Sequence, residues 1–222
     1  VIKKVFVIDY GAGNLKSIVK ALKVLDLEVQ IVDTHKLSSN FKDLTDLLVL
    51  PGVGEFGSAA KVLNKVRENI VEYVRNGKPL LGICLGIQLL FDKSEENCSQ
   101  KGLGIVPGEV VKFNFKKLRN KINLPVPHMC WNKVKFLKTK NVTDNRKIIL
   151  KNLNQEEFFY FVHSYYPVPK EKKIIFGTTE YGVKFCSMIV KDNIVATQFH
   201  LEKSGNKGLV LLKNVVNYFE KL

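Results

Sequence analysis

The sequence predicts an α/β fold: a mostly parallel open sheet flanked by helices, with an antiparallel extension in the C-terminal half. Three observations carry this. In the first half, short apolar runs alternate with stretches whose apolar residues fall at helical spacing. In the second half, strand-like runs follow one another with few helical stretches between them. A cysteine flanked by glycines stands where a buried run passes into a helix. A β-α-β-α order gives parallel strands, because each return needs a helical crossover.

The elements follow in order. Val5 to Ile8 is apolar and is broken by Gly11-Ala12-Gly13-Asn14. Leu15, Ile18, Val19, Leu22 and Leu25 then mark a helix. Glu28 to Val32 alternates like a strand, and Leu47 to Leu50 is a buried strand stopped by Pro51-Gly52. Val62, Val66, Ile70 and Val74 lie four apart, which predicts one helix ending at Gly77 and Pro79. Leu80 to Ile83 is a second buried strand, and Leu85 to Phe91 is expected to be helical. Beyond it, Val110 to Phe115, Trp131 to Leu137, Phe158 to Val162, Ile174 to Thr179, Phe185 to Val190 and Ile194 to Phe199 read as strands. Turn signals such as Tyr181-Gly182 and Asp192-Asn193 separate some of them. Leu209, Leu212, Val216 and Phe219 lie on one face of a closing helix. No repeat or linker divides the chain, so residues 1–222 are expected to form a single domain.

Composition narrows the class. A chain of 222 residues can bury a core without covalent staples. Cys84, Cys98, Cys130 and Cys186 form no Cys-x-x-Cys pair. A disulfide framework or a zinc site is therefore not expected, and the chain suits a reducing compartment. No apolar run reaches the ~18 residues of a membrane span, and the opening residues do not read as a leader. The expectation is a soluble, cytoplasmic protein. The net charge of +14 comes mostly from lysines spread along the chain. The densest group, Lys112 to Lys121, carries no nucleic-acid reading motif, so the charge is read as a solvated surface.

The chemistry centres on Gly82-Ile83-Cys84-Leu85-Gly86. A nucleophile between two close glycines, at a strand-to-helix turn, is held in a tight backbone conformation with its side chain at the top of the sheet. The start of the helix favours the thiolate. The Leu85 N–H is placed to bind an oxyanion, and the Pro51-Gly52-Val53-Gly54 turn could supply a second donor from a neighbouring strand end. A thiolate needs a proton-transfer partner oriented by a third group. His200 directly follows a strand, as Cys84 does, and Glu202 two residues on could fix its tautomer. His35 reads as solvated; His128 and His163 read as structural or site-lining. Gly11-Ala12-Gly13-Asn14 fails as a dinucleotide loop, since the third glycine is absent.

With these pieces assembled, the chain resembles the class I, triad-type glutamine amidotransferases, whose fold is flavodoxin-like. Within them it looks most like the glutaminase subunits of imidazole glycerol phosphate synthases, from histidine biosynthesis. The resemblance rests on Asp9 to Leu15, Pro51 to Phe56, Gly82 to Gln88, Pro127-His128-Met129 with Trp131-Asn132, Phe161 to Tyr166, and Gln198-Phe199-His200 with Glu202-Lys203-Ser204. It implies that Cys84 attacks the side-chain amide of L-glutamine, His200 moves the proton and Glu202 orients His200. It implies a substrate site of Gly54, Gln88, Glu96, Ser164 and Tyr165, with Glu96 at the α-ammonium. It implies a heterodimeric partner, a (β/α)8 synthase or cyclase subunit that receives the ammonia, with Tyr160 and Trp131 near the interface, and no metal or organic cofactor. Two residues depart from the family pattern: Leu201 stands where proline is usual and Cys130 where glycine is usual. A paralogue supplying ammonia for sugar amidation, and a stand-alone γ-glutamyl hydrolase, are the alternative readings.

Overall fold

Alternate residues along a strand point to opposite faces, and in the first strands both sets are apolar, so both faces of the sheet must be covered. The computed structural model describes residues 1–37, 41–96, 99–115, 124–137 and 144–222. Cys98, and the part of the lysine-rich group from residue 116 onward, lie outside the described residues.

The first half runs β1 (Lys4–Asp9), α1 (Leu15–Lys23), β2 (Glu28–Asp33), β3 (Leu47–Leu50), α2 (Phe56–Leu63), α3 (Arg67–Arg75), β4 (Leu80–Ile83) and α4 (Leu85–Leu89). The second half runs β5 (Lys93–Ser94), β6 (Gly108–Lys112), β7 (His128–Phe136), α5 (Asp144–Lys147), β8 (Glu156–His163), β9 (Tyr165–Pro169), β10 (Ile175–Tyr181), β11 (Val183–Lys191), β12 (Ile194–Thr197) and α6 (Gly205–Phe219). Nine strands form one sheet in the order β2-β1-β3-β4-β12-β11-β10-β7-β8. Pairing is parallel from β2 through β12 and antiparallel from β12 to β8. β5, β6 and β9 form a separate small sheet.

Each face of the large sheet has its own core. Val5, Val7, Leu47, Val49, Leu81 and Ile83 pack with Ile18 and Leu22 of α1 and Leu211, Leu212 and Val215 of α6. Phe6, Ile8, Leu48, Leu50 and Leu80 pack on the other side with Phe56, Leu63, Ile70, Tyr73 and Ile87. Burial of these side chains is worth about 1.5–3 kcal/mol each before the entropy cost is set against it. A one-residue slip of any of these strands would exchange the two faces.

The structure corrects several expected boundaries. The single helix through Val62 and Val74 is two helices joined by a 3-10 turn, Asn64–Val66. Val66 leaves the helical region at φ −123°, so the spacing of four continues across a break. The strand expected at Val110 to Phe115 stops at Lys112. Phe113 turns instead into an aromatic cluster with His163, Tyr166 and Phe185. The last strand ends at Thr197, so Gln198 and Phe199 lie beyond it. β9 was not expected, because its two prolines argue against a strand. It pairs only with β6, at an edge where the missing N–H groups cost no ladder bond.

Candidate active site

β4 and β12 are neighbours in the parallel half, with Gly82 opposite Ala196 and Ile83 opposite Thr197. Their carboxyl ends therefore deliver Cys84 and, three residues past Thr197, His200 to one place. Cys84 is buried and held at φ 53°, ψ −102°. That is a costly conformation for a residue with a side chain, on the order of 1–3 kcal/mol. Its N–H donates to the Thr197 carbonyl at 2.7 Å. The flanking glycines are sterically required. A Cβ on Gly86 would stand 1.9 Å from the Leu50 carbonyl oxygen, and one on Gly82 would meet Gly86 and Ala196 at 3.0–3.1 Å. The helix that follows, α4, is only five residues long. Its dipole is correspondingly small, so support for a thiolate must come mainly from side chains.

His200 supplies that support. Its N–H donates to the Tyr160 carbonyl at 2.9 Å, pinning it against β8. Its Nδ1 lies 2.7 Å from Glu202 Oε1, and both side chains are buried. Glu202 can only accept, so Nδ1 carries a proton, and Nε2 is the atom free to serve Cys84. Nε2 is buried and makes no hydrogen bond of its own. Burial works against the imidazolium. The Cys84 sulfur and the Glu202 carboxylate outweigh it and raise the His200 pKa to about 10. The ring is thus held as a proton donor beside the Cys84 sulfur. The structure brings Cys84, His200 and Glu202 together.

One further residue completes this arrangement. Asn14, in the left-handed region at φ 72°, donates from Nδ2 to the same Glu202 Oε1 at 2.6 Å. The sequence shows an asparagine in a glycine-rich loop, which is read as a turn former. Its partner lies 188 residues away, and no local pattern announces such a bond.

Cys84 opens into a cavity of about 190 Å³, a space suited to one amino acid. Of the residues expected there, Val53, Gly54, Leu85, Gln88, Glu96, Ser164 and Tyr165 all line it, and Pro127, Val162 and His163 join them. Glu96 stands at the α2 end, where Oε2 accepts the Phe56 N–H at 2.7 Å. Burial, with Glu55 nearby, raises its carboxyl above the ordinary range despite that bond. Two larger hollows, of about 560 and 620 Å³, lie along β2 and beside Arg67. Among the described residues, neither is lined by a cysteine or a histidine.

Of the expected oxyanion residues, Gly52 does not line the cavity, and the N–H groups of the other two are engaged elsewhere in this conformation. The Leu85 N–H donates to the Gly52 carbonyl at 3.2 Å, and the Val53 N–H to the Gly13 carbonyl at 3.4 Å. Gly52 has φ 125°, and a Cβ there would lie 2.3 Å from that of Ala12. Just before it, the buried Tyr10 hydroxyl donates to the Pro51 carbonyl. Burial, with Cys84 and Asp9 nearby, pushes this phenol well up, so it stays a donor.

His128 and His163 form a buried pair behind the cavity. Their rings are 2.9 Å apart, Nδ1 to Nε2, and His163 Nδ1 lies 2.7 Å from the Tyr165 carbonyl. Burial lowers their pKa values, to about 4 for His128 and about 3 for His163. In the unfolded chain both would protonate near pH ~6.5. Below that pH the unfolded state binds more protons, so stability is lost as the pH falls towards the folded values. For the pair the slope is on the order of 2–3 kcal/mol per pH unit. His200, which stays charged in the folded protein, works the other way between pH 7 and about 6, where the unfolded chain still takes up its proton, and adds nothing below that. Urea unfolding from about pH 6 down to about pH 5 should show this fall; a flat profile there would contradict a neutral, buried pair.

The two departures from the family pattern leave the site intact. Leu201 is buried in the core. The turn is held instead by Ser204 Oγ, which donates to the His200 carbonyl and accepts the Tyr160 N–H. Cys130 is not among the residues of positive φ, so the missing glycine causes no strain. On the adjoining sheet surface Trp131 and Tyr160 face each other across β7 and β8, their ring centroids 6.3 Å apart. Met129, Trp131 and Phe158 are more than half exposed, at 59, 52 and 55 per cent. Three large apolar side chains are thus exposed together on neighbouring strands.

Comparison with known proteins agrees with this geometry. The profile of the family described as glutamine amidotransferase class-I matches residues 6–217. The chain is 44 per cent identical to imidazole glycerol phosphate synthase subunit HisH of Aquifex aeolicus, over 97 per cent of each chain. It is 44 per cent identical to the subunit of the same name from Methanocaldococcus jannaschii, over 95 per cent of this chain and 97 per cent of that one. Among solved structures, PurLQS from Thermotoga maritima superimposes with a TM-score of 0.70 at 16 per cent identity, covering 98 per cent of this chain and 99 per cent of that one. A glutamine amidotransferase from the same organism gives 0.64 at 15 per cent identity, covering 100 and 84 per cent. These distant likenesses establish the shared fold.

Proposed function

The chain belongs to the class-I glutamine amidotransferase family and is a glutaminase, and from that premise we propose that it is the ammonia-supplying subunit of an imidazole glycerol phosphate synthase in histidine biosynthesis. The observation that carries the chemistry is the buried His200–Glu202 pair aimed at Cys84. The names of relatives that match nearly end to end support the pathway.

The reaction follows from the geometry. The Cys84 thiolate attacks the carbon of the glutamine side-chain amide, forming the C–S bond and moving the carbonyl electrons onto oxygen. His200 Nε2–H gives its proton to the leaving nitrogen, so the C–N bond breaks and ammonia departs. Water, deprotonated by His200, then attacks the γ-glutamyl thioester and releases glutamate. Glu202, steadied by Asn14, keeps the ring aligned throughout. Gln88, Ser164 and Tyr165 border the substrate, and Glu96 meets its α-ammonium.

The Leu85 N–H can bind the oxyanion only after the Gly52 carbonyl turns away. In this reading the Gly52-Val53 peptide rotates when the partner is engaged, which leaves the subunit nearly idle alone. The partner is a (β/α)8 cyclase seated on the Trp131 and Tyr160 surface as a heterodimer in the cytoplasm. It takes up the ammonia directly to make imidazole glycerol phosphate and AICAR. Neither Leu201 nor Cys130 disturbs the site, so these two departures lend no support to a different ammonia acceptor.

The test is glutamine hydrolysis by the chain alone and with the synthase subunit and its ligand. One missing oxyanion donor costs about 10²–10³ in rate, so a stimulation of at least that size is expected. Full activity without the partner would overturn the subunit reading.

A further inference from the structure

Gln198 is fully buried between the end of β12 and His200, with its N–H fixed on the Ser187 carbonyl at 2.9 Å. Its side-chain amide lies between two others. Gln88 Nε2 is 3.2 Å from Gln198 Oε1, and Gln198 Nε2 is 3.7 Å from the Cys84 sulfur. Which end of each amide faces which neighbour is settled by a backbone carbonyl. Gln88 Nε2 also lies 3.0 Å from the Tyr165 carbonyl, which can only accept, so that end of Gln88 must be its NH₂. Gln198 must then turn its oxygen towards Gln88, and its own NH₂ is left facing the sulfur. The Tyr165 carbonyl is itself held by the His163 ring.

From this chain of donors we infer that Gln198 is a positioning residue that donates a hydrogen bond to the Cys84 sulfur and favours its anionic form. A donor stabilises a thiolate more than a thiol. The contact opposes the Val162 carbonyl, also 3.7 Å from the sulfur, which favours the thiol by accepting its proton. Among the described residues the titratable groups facing Cys84 are His200 beyond β12, Tyr10 beyond β1 and, across the cavity, His163, Tyr165 and Glu96; burial keeps His163 neutral and both phenols protonated. Of these only His200 also favours the anion; Gln198 does so without a charge and without a proton to lose. The inference rests on Cys84 being the nucleophile.

The test is alkylation of Cys84 by iodoacetamide as a function of pH, followed by mass spectrometry of the Cys84 peptide in the whole protein. In Gln198→Met the midpoint should rise by about one pH unit, and kcat should fall more than KM rises. Gln198→Glu, which places an acceptor against the sulfur, should move the midpoint further in the same direction, and it serves if the methionine variant does not fold. An unchanged midpoint in whichever variant folds overturns the inference, as does a rise in KM alone, which would mean that Gln198 only orders Gln88. Failure of the nucleophile assignment shows separately, as glutaminase activity surviving complete alkylation of wild-type Cys84.

Discussion

Cys84→Ala is expected to abolish glutamine hydrolysis, with a loss of about 10⁵-fold or more. The sulfur is the only atom in the arrangement that can carry the acyl group, and His200 and Glu202 have nothing to act on without it. Removing one member of a catalytic unit therefore costs nearly as much as removing all of them. The fold should survive. Alanine suffers the same backbone strain at φ 53°, and the lost atom borders a cavity. In the complex, synthesis driven by added ammonium salt should continue while synthesis driven by glutamine stops. Glutamine-driven turnover in the alanine variant would show that the nucleophile lies elsewhere.

The second large effect is expected from Gly86→Ala, one methyl group that never touches substrate. Its Cβ would stand 1.9 Å from the Leu50 carbonyl oxygen, and that atom belongs to the backbone and cannot swing aside. β3 and α4 must separate. Overpacking of this kind costs about 1–3 kcal/mol, and here the upper end or beyond applies. For a chain of this size that is a fall in Tm of roughly 6–12 °C. Activity should fall as well, because Leu50 leads directly into Pro51-Gly52-Val53. Calorimetry and glutaminase assays on the same sample measure both. A variant with wild-type Tm would mean that the close approach at Gly86 is not rigid.

Much of this was legible in the sequence, for reasons that differ by region. The parallel half is buried on both faces, so Leu47 to Leu50 and Leu80 to Ile83 appear as unbroken apolar runs ended by punctuation. The glycines around Cys84 were readable because the close contacts they permit are local. Other features were hidden. Val62, Val66, Ile70 and Val74 keep their spacing across a 3-10 break, so periodicity alone could not reveal it. Pro167 and Pro169 concealed β9. The bond from Asn14 to Glu202 and that from Gln198 to Cys84 join residues far apart in sequence, and each looked like an ordinary turn or strand end. The engagement of the Leu85 N–H by Gly52 is a property of one conformational state, and a list of residue types does not encode states.

β4 and β12 lie side by side although 110 residues separate the end of one from the start of the other. Their tips are kept level by mutual backbone bonds. The relative height of sulfur and imidazole is accordingly set by that pairing, together with the Tyr160 carbonyl that the His200 N–H meets. The connections between the outer strands, rather than the strands that touch His200 and the cavity, can be lengthened or trimmed over evolutionary time to suit a new acceptor enzyme, while the hydrolytic step stays in register.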